Sequence, residues 1–182
     1  NLLAIDEPII VPTLPLIMFA TLDVHAIFNS FIYTCIFITV MKKSFKGIYK
    51  PINPSKYVGD SKNIIYRSLL ERRMMVYLDK SDNIHHWASE ELAIRYYSPI
   101  DNKWHRYFPD FIVKTKQGAK IVIEIKPSRQ CIPPKKPTSR KTKSYMRESL
   151  EYIRNRAKWQ AATKYCKDQG AEFTIITEKD LS

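Results

Sequence analysis

The chain has 182 residues, enough for one domain with a real core and too few for two domains of ordinary size. Its 30 Lys and Arg stand against 18 Asp and Glu, a formal charge of +12, which concentrates polyanions at the surface at some cost in self-repulsion. Cys35, Cys131 and Cys166 are odd in number and far apart, which argues against a disulfide framework, and adjacent His85 and His86 would point to opposite faces of a strand, a poor start for a zinc site. A reducing cytoplasm is the expected compartment and nucleic acid the expected partner, with a merely soluble basic protein as the alternative.

Residues 1–40 contain no Lys or Arg and three acids, Asp6, Glu7 and Asp23, so residues 41–182 hold all the basic residues. Val24 to Val40 is an almost uncharged run, interrupted by His25, Asn29 and Ser30 and followed by Lys42, Lys43, Lys46 and Lys50. Its length is at the lower edge of a membrane span, and it lacks the basic start of a secretory signal. The leading reading is an apolar extension upstream of a natural start at Met41, with no part in the chemistry; a membrane anchor comes second.

From Met41 to residue 182 the pattern is that of one α/β domain. Lys46 to Lys56 is an extended, Pro-broken lead-in, and Asp60 or Ser61 can cap a helix running to about Asp79. Leu92 to Ser98 reads as a strand, turned by Pro99 to Asn102 into a second from Trp104 to about Lys114. Gly118 then turns the chain into a third, Lys120 to Lys126. Pro127 to Lys143 holds four prolines, six Lys or Arg and no acid, and reads as a basic loop. A long helix follows from about Ser144 to Asp168, with Met146, Leu150, Ile153, Ala157 and Ala161 on one stripe, and it stops at Gly170. The last strand is Glu172 to Thr177.

The third strand alternates. Ile121, Ile123 and Ile125 face one way, which must be core, and Val122, Glu124 and Lys126 the other. A solvated edge is the ordinary reading of that second face. A three-residue hairpin loop, Lys116 to Gly118, pairs residues whose numbers sum to 234 and sets Asp110 opposite Glu124; a two-residue loop breaks the alignment. Two carboxylates so placed repel unless a cation lies between them, and their oxygens suit magnesium. Glu71, one turn from Arg67, is ordinarily half of a surface salt bridge, and becomes a ligand candidate only if its helix crosses the strand pair.

Pro109-Asp110, followed fourteen residues on by Glu124-Ile125-Lys126 and preceded by an acid in a helix, resembles the PD-(D/E)xK nuclease superfamily. The segments KGIYKPINPSKYVGD, YRSLLERRMMVYLD, HRYFPDFIV, IEIKP, PPKKP, AKWQAATKYC and ITEKDL together resemble the head-completion nucleases of T-even-like phages, over about residues 45–182. The second half also resembles the TnsA-type transposon endonucleases. The resemblance implies a restriction-endonuclease-like α/β core, a mixed sheet flanked by helices in the order helix, three strands, helix, strand. It implies hydrolysis of DNA phosphodiesters, by endo- or exonucleolytic attack, before a packaged head is joined to a tail. Asp110, Glu124 and the Ile125 carbonyl would then bind Mg2+, with Mn2+ as a substitute. Glu71 would add a ligand directly or through water, and Lys126 would orient the attacking water. Gln160, expected on the apolar stripe, is an accessory candidate because related nucleases use a helix glutamine near the site; a structural role is its more ordinary reading.

In the basic loop, Arg129, Lys135, Lys136, Arg140, Lys141 and Lys143 are expected to neutralise backbone phosphates without reading bases, the alternative being a solvated, disordered loop. Tyr96, Tyr97, Trp104, Tyr107 and Trp159 read as core or sheet-face aromatics, with stacking on unpaired bases as the alternative. The expected partners are double-stranded DNA and phage head or neck proteins, met in the host cytoplasm during assembly or in the virion head or neck; neither a small-molecule substrate nor a membrane is expected. Two competing functions remain: a non-enzymatic neck protein that only grips DNA, and a repair or transposition endonuclease of the same fold.

Overall fold

The sheet that carries the candidate acids has four strands in the order β3-β6-β7-β8: Ile84–Ser89, Phe111–Thr115, Lys120–Ile125 and Glu172–Ile176. The first three run antiparallel to their neighbours and β8 runs parallel to β7, so the sheet is mixed. Two small antiparallel sheets accompany it: β1 (Gly47–Tyr49) with β2 (Ile64–Tyr66), and β4 (Ile94–Ser98) with β5 (Lys103–Tyr107). Helix α1 spans Leu69–Lys80 and α2 spans Lys143–Asp168. This computed structural model describes residues 45–140 and 142–181; the run Val24–Val40, the start at Met41 and Lys141 lie outside the described residues. No helix among the described residues is long and apolar enough to cross a membrane.

The first helix starts later than expected. Asp60 caps only a turn, its Oδ1 accepting from the Lys62 N–H, and the β-branched pair Ile64-Ile65 enters a strand instead. Ser68 is the N-cap: its Oγ accepts from the Glu71 N–H at 3.1 Å and donates to Glu71 Oε1 at 2.9 Å, a variant of the Ser-x-x-Glu capping box in which the carboxylate reaches back to the Arg67 N–H. Met74, Met75 and Leu78 face the core with Trp87, Phe111, Ile123 and Ile125. At the far end of α1, Asp79 is fully buried and ties down the lead-in, accepting from Tyr49 Oη, the Ile52 N–H and the Asn53 N–H at 2.7–2.9 Å.

Strand β3 carries no clear signal in the sequence. A bulge between Ile84 and His86 breaks the two-residue alternation that would have revealed it, yet it places Trp87 in the core. The expected strand from Trp104 to Lys114 is two strands, because Phe108-Pro109-Asp110 interrupts it and Pro109 has no N–H for a ladder. β5 folds back on β4, and β6 enters the main sheet. The β6–β7 hairpin does use the three-residue loop: Phe111 pairs with Ile123, Ile112 with Val122, Val113 with Ile121 and Lys114 with Lys120, and Gly118 sits at φ 89°. Ile121, Ile123 and Ile125 pack in the core under α1, as the alternation predicts.

Helix α2 presents a different face from the expected one. Asn155, Trp159, Ala162 and Cys166 are its buried residues, and it packs on β4 and β8, where Ala157, Ala161 and Phe173 complete a second core with Ile94, Tyr96 and Tyr107. Met146, Leu150 and Ile153 are exposed, since the helix meets the sheet only through its C-terminal half. It ends as expected, with Gly170 at φ 62° and the Ala171 N–H donating to the Cys166 carbonyl at 2.8 Å.

Candidate active site

The hairpin register sets Asp110 opposite Glu124, one step beyond the last ladder pair. Asp110 Oδ2 accepts from the Ile125 N–H at 2.6 Å, and its carbonyl accepts from the Glu90 N–H at 3.2 Å, so side chain and backbone are both fixed. Glu124 is 3% exposed. Its Oε2 accepts from Tyr107 Oη at 2.6 Å and its Oε1 pairs with Lys126 Nζ at 2.7 Å. The three groups expected to share a face do meet: Asp110, Glu124 and Lys126.

Burial, and then the negative charge of Glu124, push the Asp110 carboxyl up to about 7, even though Lys126 and the Ile125 N–H pull the other way. Burial alone would lower the Lys126 ammonium, but the charges of Glu124 and Asp110 outweigh it and the net direction is up. Tyr107, buried and facing Glu124, is raised as well, so its hydroxyl stays a donor. The site therefore holds more negative charge than one lysine offsets.

A divalent cation fits that imbalance. Because a residue's N–H and C=O leave a strand on the same side, the Ile125 carbonyl faces the Asp110 side along with its N–H. Two carboxylates and a carbonyl form an all-oxygen set suited to a hard divalent cation. Among the described residues, no three His, Cys, Asp or Glu side chains come together as a metal cluster. Glu71 explains this: its carboxylate is engaged in the helix cap, with Oε2 accepting from the Arg67 N–H at 2.6 Å. Its charge still acts on both Asp110 and Lys126. The Arg67 guanidinium pairs with Glu90, rather than serving only Glu71.

Residues 81–178 match the family described as TnsA-like endonuclease N terminal. The chain belongs to this TnsA-like endonuclease family. The head completion nuclease of Enterobacteria phage T4 is 38% identical over 141 residues, 76% of this chain and 94% of that protein. The TnsA-like stretch contains Asp110, Glu124 and Lys126, while Glu71 precedes it. The fold is the restriction-endonuclease-like α/β arrangement.

Of the remaining candidates in this TnsA-like domain, Arg129, Lys135, Lys136, Arg140 and Lys143 are exposed, and Lys141 lies outside the described residues. The loop starts at a 3-10 turn, Ser128–Gln130, pinned by the Ser128 N–H donating to Glu178 Oε2 at 2.8 Å. Gln160 occupies a surface position rather than the expected stripe, because its neighbour Trp159 takes the buried one. Tyr96, Tyr107 and Trp159 are buried as read; Tyr97 and Trp104 are exposed and pack edge to face on each other.

Two residues facing the acids carry no sequence signal of their own. Tyr107 holds Glu124, and the break at Pro109 conceals which sheet it serves. Lys158, half-buried on α2, places its Nζ 5.4 Å from the Tyr107 ring centroid and 5.9 Å from that of Tyr96. Burial pulls its ammonium down, with Glu124 opposing. No spacing rule singles out such a lysine, since its environment is made by a hairpin distant in sequence.

Proposed function

We propose that this chain is a metal-dependent deoxyribonuclease that cuts phage DNA during head completion, before heads and tails are joined. The observation that carries the reading is the pair of buried Glu124 and partly buried Asp110, with Lys126 at 2.7 Å from Glu124. A protein that only grips DNA gains nothing from two carboxylates forced together, since a buried acid pair costs stability and repels phosphate. The relationship to a protein named head completion nuclease supports the stage of action. Phage head or neck proteins are the accompanying partners, in the host cytoplasm during assembly or in the virion head or neck.

Asp110, Glu124 and the Ile125 carbonyl would hold Mg2+ or Mn2+, with Glu71 reaching it through water. When bound, the ion lowers the pKa of water and stabilises charge on the phosphate during in-line displacement. The residues supply the rest. Tyr107 and the Ile125 N–H lock the two carboxylates in place before substrate arrives. Lys126, kept protonated by the neighbouring acids, donates hydrogen bonds from Nζ that aim the attacking water at phosphorus. One bond from the water oxygen to phosphorus forms and one from phosphorus to a sugar oxygen breaks; the water gives up a proton to solvent and the departing oxygen takes one up, leaving a terminal phosphate and a hydroxyl.

A plasmid-nicking assay on purified protein tests this. The parent should nick with magnesium or manganese and stop with chelator, while Glu124→Gln and Asp110→Asn should abolish nicking and keep DNA binding, which basic residues dominate. A parent that never nicks with any divalent metal, or a Glu124 variant that nicks at the parental rate, overturns the nuclease reading and leaves a DNA-gripping neck protein.

A further inference from the structure

A cavity of about 520 Å³ lies beside Lys126, between the turn at Gln130 and the face of α2 that carries Arg147, Arg154 and Lys158. None of those three cations is in an ion pair among the described residues, and the one acid of the wall is Glu151. Asn155 completes the wall at 5% exposure, and its Nδ2 donates to no group among the described residues. An unsatisfied buried amide lowers stability, so a native one points to a missing acceptor. A basic helix face is ordinarily just solvated. Here the lysine is half-buried over two tyrosine rings and the amide is unpaired, which a solvated face does not require.

We propose that this cavity is a second phosphate subsite, taking a DNA backbone phosphate next to the one that is cut, with Arg154, Lys158 and Asn155 as its donors. The inference rests on the nuclease reading for its place beside the reacting phosphate. The cavity adjoins Lys126, so a strand whose scissile phosphate meets Lys126 carries its neighbouring phosphate past α2. Arg154 and Lys158 supply charge-assisted donors to a tetrahedral oxyanion, and Asn155 a neutral one. The basic loop has a different part: its exposed cations act on the duplex at large, while α2 fixes the register of the strand at the site. The phosphate can be an internal diester of a continuous strand or a terminal phosphate at a DNA end, and the chemistry of recognition is the same for both.

Oligonucleotide duplexes in which single phosphates are replaced by neutral methylphosphonates test the assignment. In the parent, replacement at one position within two nucleotides of the cut should lower kcat/KM about tenfold, the effect of one charge-assisted hydrogen bond. In Arg154→Gln the same replacement should have a clearly smaller effect, because one of the two charged partners is gone, and in Asn155→Leu a somewhat smaller one, because the neutral donor is gone. A terminal source shows instead as a requirement for a 5′-phosphate near the cut that Arg154→Gln removes. Full and undiminished interference in the folded variants overturns the subsite. Affinity for the same duplexes without divalent metal is read alongside. A parent that does not cut, but whose methylphosphonate-sensitive binding is lost in Arg154→Gln, keeps the subsite and refutes the nuclease. A parent that neither cuts nor shows such sensitivity refutes both.

Discussion

Replacing Asp110 by Asn should make the metal-free protein more stable at pH 8 and leave it unchanged near pH 4. Burial and the charge of Glu124 push the Asp110 carboxyl up to about 7 from an ordinary 3.8. Ionising it in the folded state therefore costs up to about 4 kcal/mol at pH 8, at roughly 1.4 kcal/mol per pH unit. The amide keeps an oxygen for the Ile125 N–H, and the raised value already includes the pull of that bond. The net gain is therefore up to about 4 kcal/mol, or a rise in Tm of about 8–16 °C for a domain of this size. Between about pH 4 and pH 7 the folded parent binds more protons than the unfolded chain, so its stability falls as pH rises through that window. The variant escapes that fall, so the gap opens across the window and is complete above it. Thermal melts in chelator at pH 4, 5.5, 7 and 8 measure this. With magnesium at about a thousandfold over its Kd, the parent should gain about 4.1 kcal/mol that the variant lacks, and the gap should close. A variant that melts below the parent at pH 8 in chelator, or a gap that ignores pH, refutes the account of two carboxylates forced together.

Tyr107→Phe should leave the fold intact and lower nicking about tenfold, since only the hydrogen bond that positions Glu124 is lost; parental turnover would show that the hydroxyl is idle. Asp79→Ala should cost about 3 kcal/mol in urea unfolding by leaving the N–H groups of Ile52 and Asn53 unpaired. Burial raises the Asp79 carboxyl, but its hydrogen bonds outweigh that and hold it below the ordinary range, so its contribution is present above that range and lost as pH falls through the lowered value. Replacing Lys135, Lys136, Arg140 and Lys141 with Ala should flatten the salt dependence of DNA binding by up to about 0.9 in log-log slope for each phosphate no longer neutralised, and an unchanged slope would take the loop off the backbone. A chain beginning at Met41 should stay folded and active; loss of its thermal transition would make residues 1–40 part of the core.

The site is legible in the sequence where geometry is local. Gly118 at a left-handed φ marks the hairpin loop, the loop fixes the register, and the register brings Asp110 to Glu124 without any knowledge of the rest of the fold. Other local signals compete: Ser68 and Glu71 write a capping box, but the apolar run from Ile64 suggests a helix that has already begun. What stays hidden depends on distant partners. The bulge in β3 erases its alternation, and the apolar residues Met146, Leu150 and Ile153 form a stripe on a part of α2 that no strand covers. Apolar periodicity predicts a face, whereas burial of that face depends on where the sheet ends. Lys158 is the extreme case, since its surroundings come from Tyr96 and Tyr107 on a hairpin more than fifty residues earlier.

The cost of the acid pair also bears on why the fold keeps it. An apolar pair at positions 110 and 124 would cap the hairpin with less strain, because neither burial nor mutual repulsion would oppose it. Instead, separate donors hold the carboxylates apart and still: Tyr107 and Lys126 on Glu124, and the Ile125 N–H on Asp110. None of these removes the excess negative charge, as the raised Asp110 carboxyl shows. Further positive charge between the two acids would lower the energy of the arrangement, so the closing of the melting gap with magnesium separates a site built for a cation from a pair that is simply tolerated.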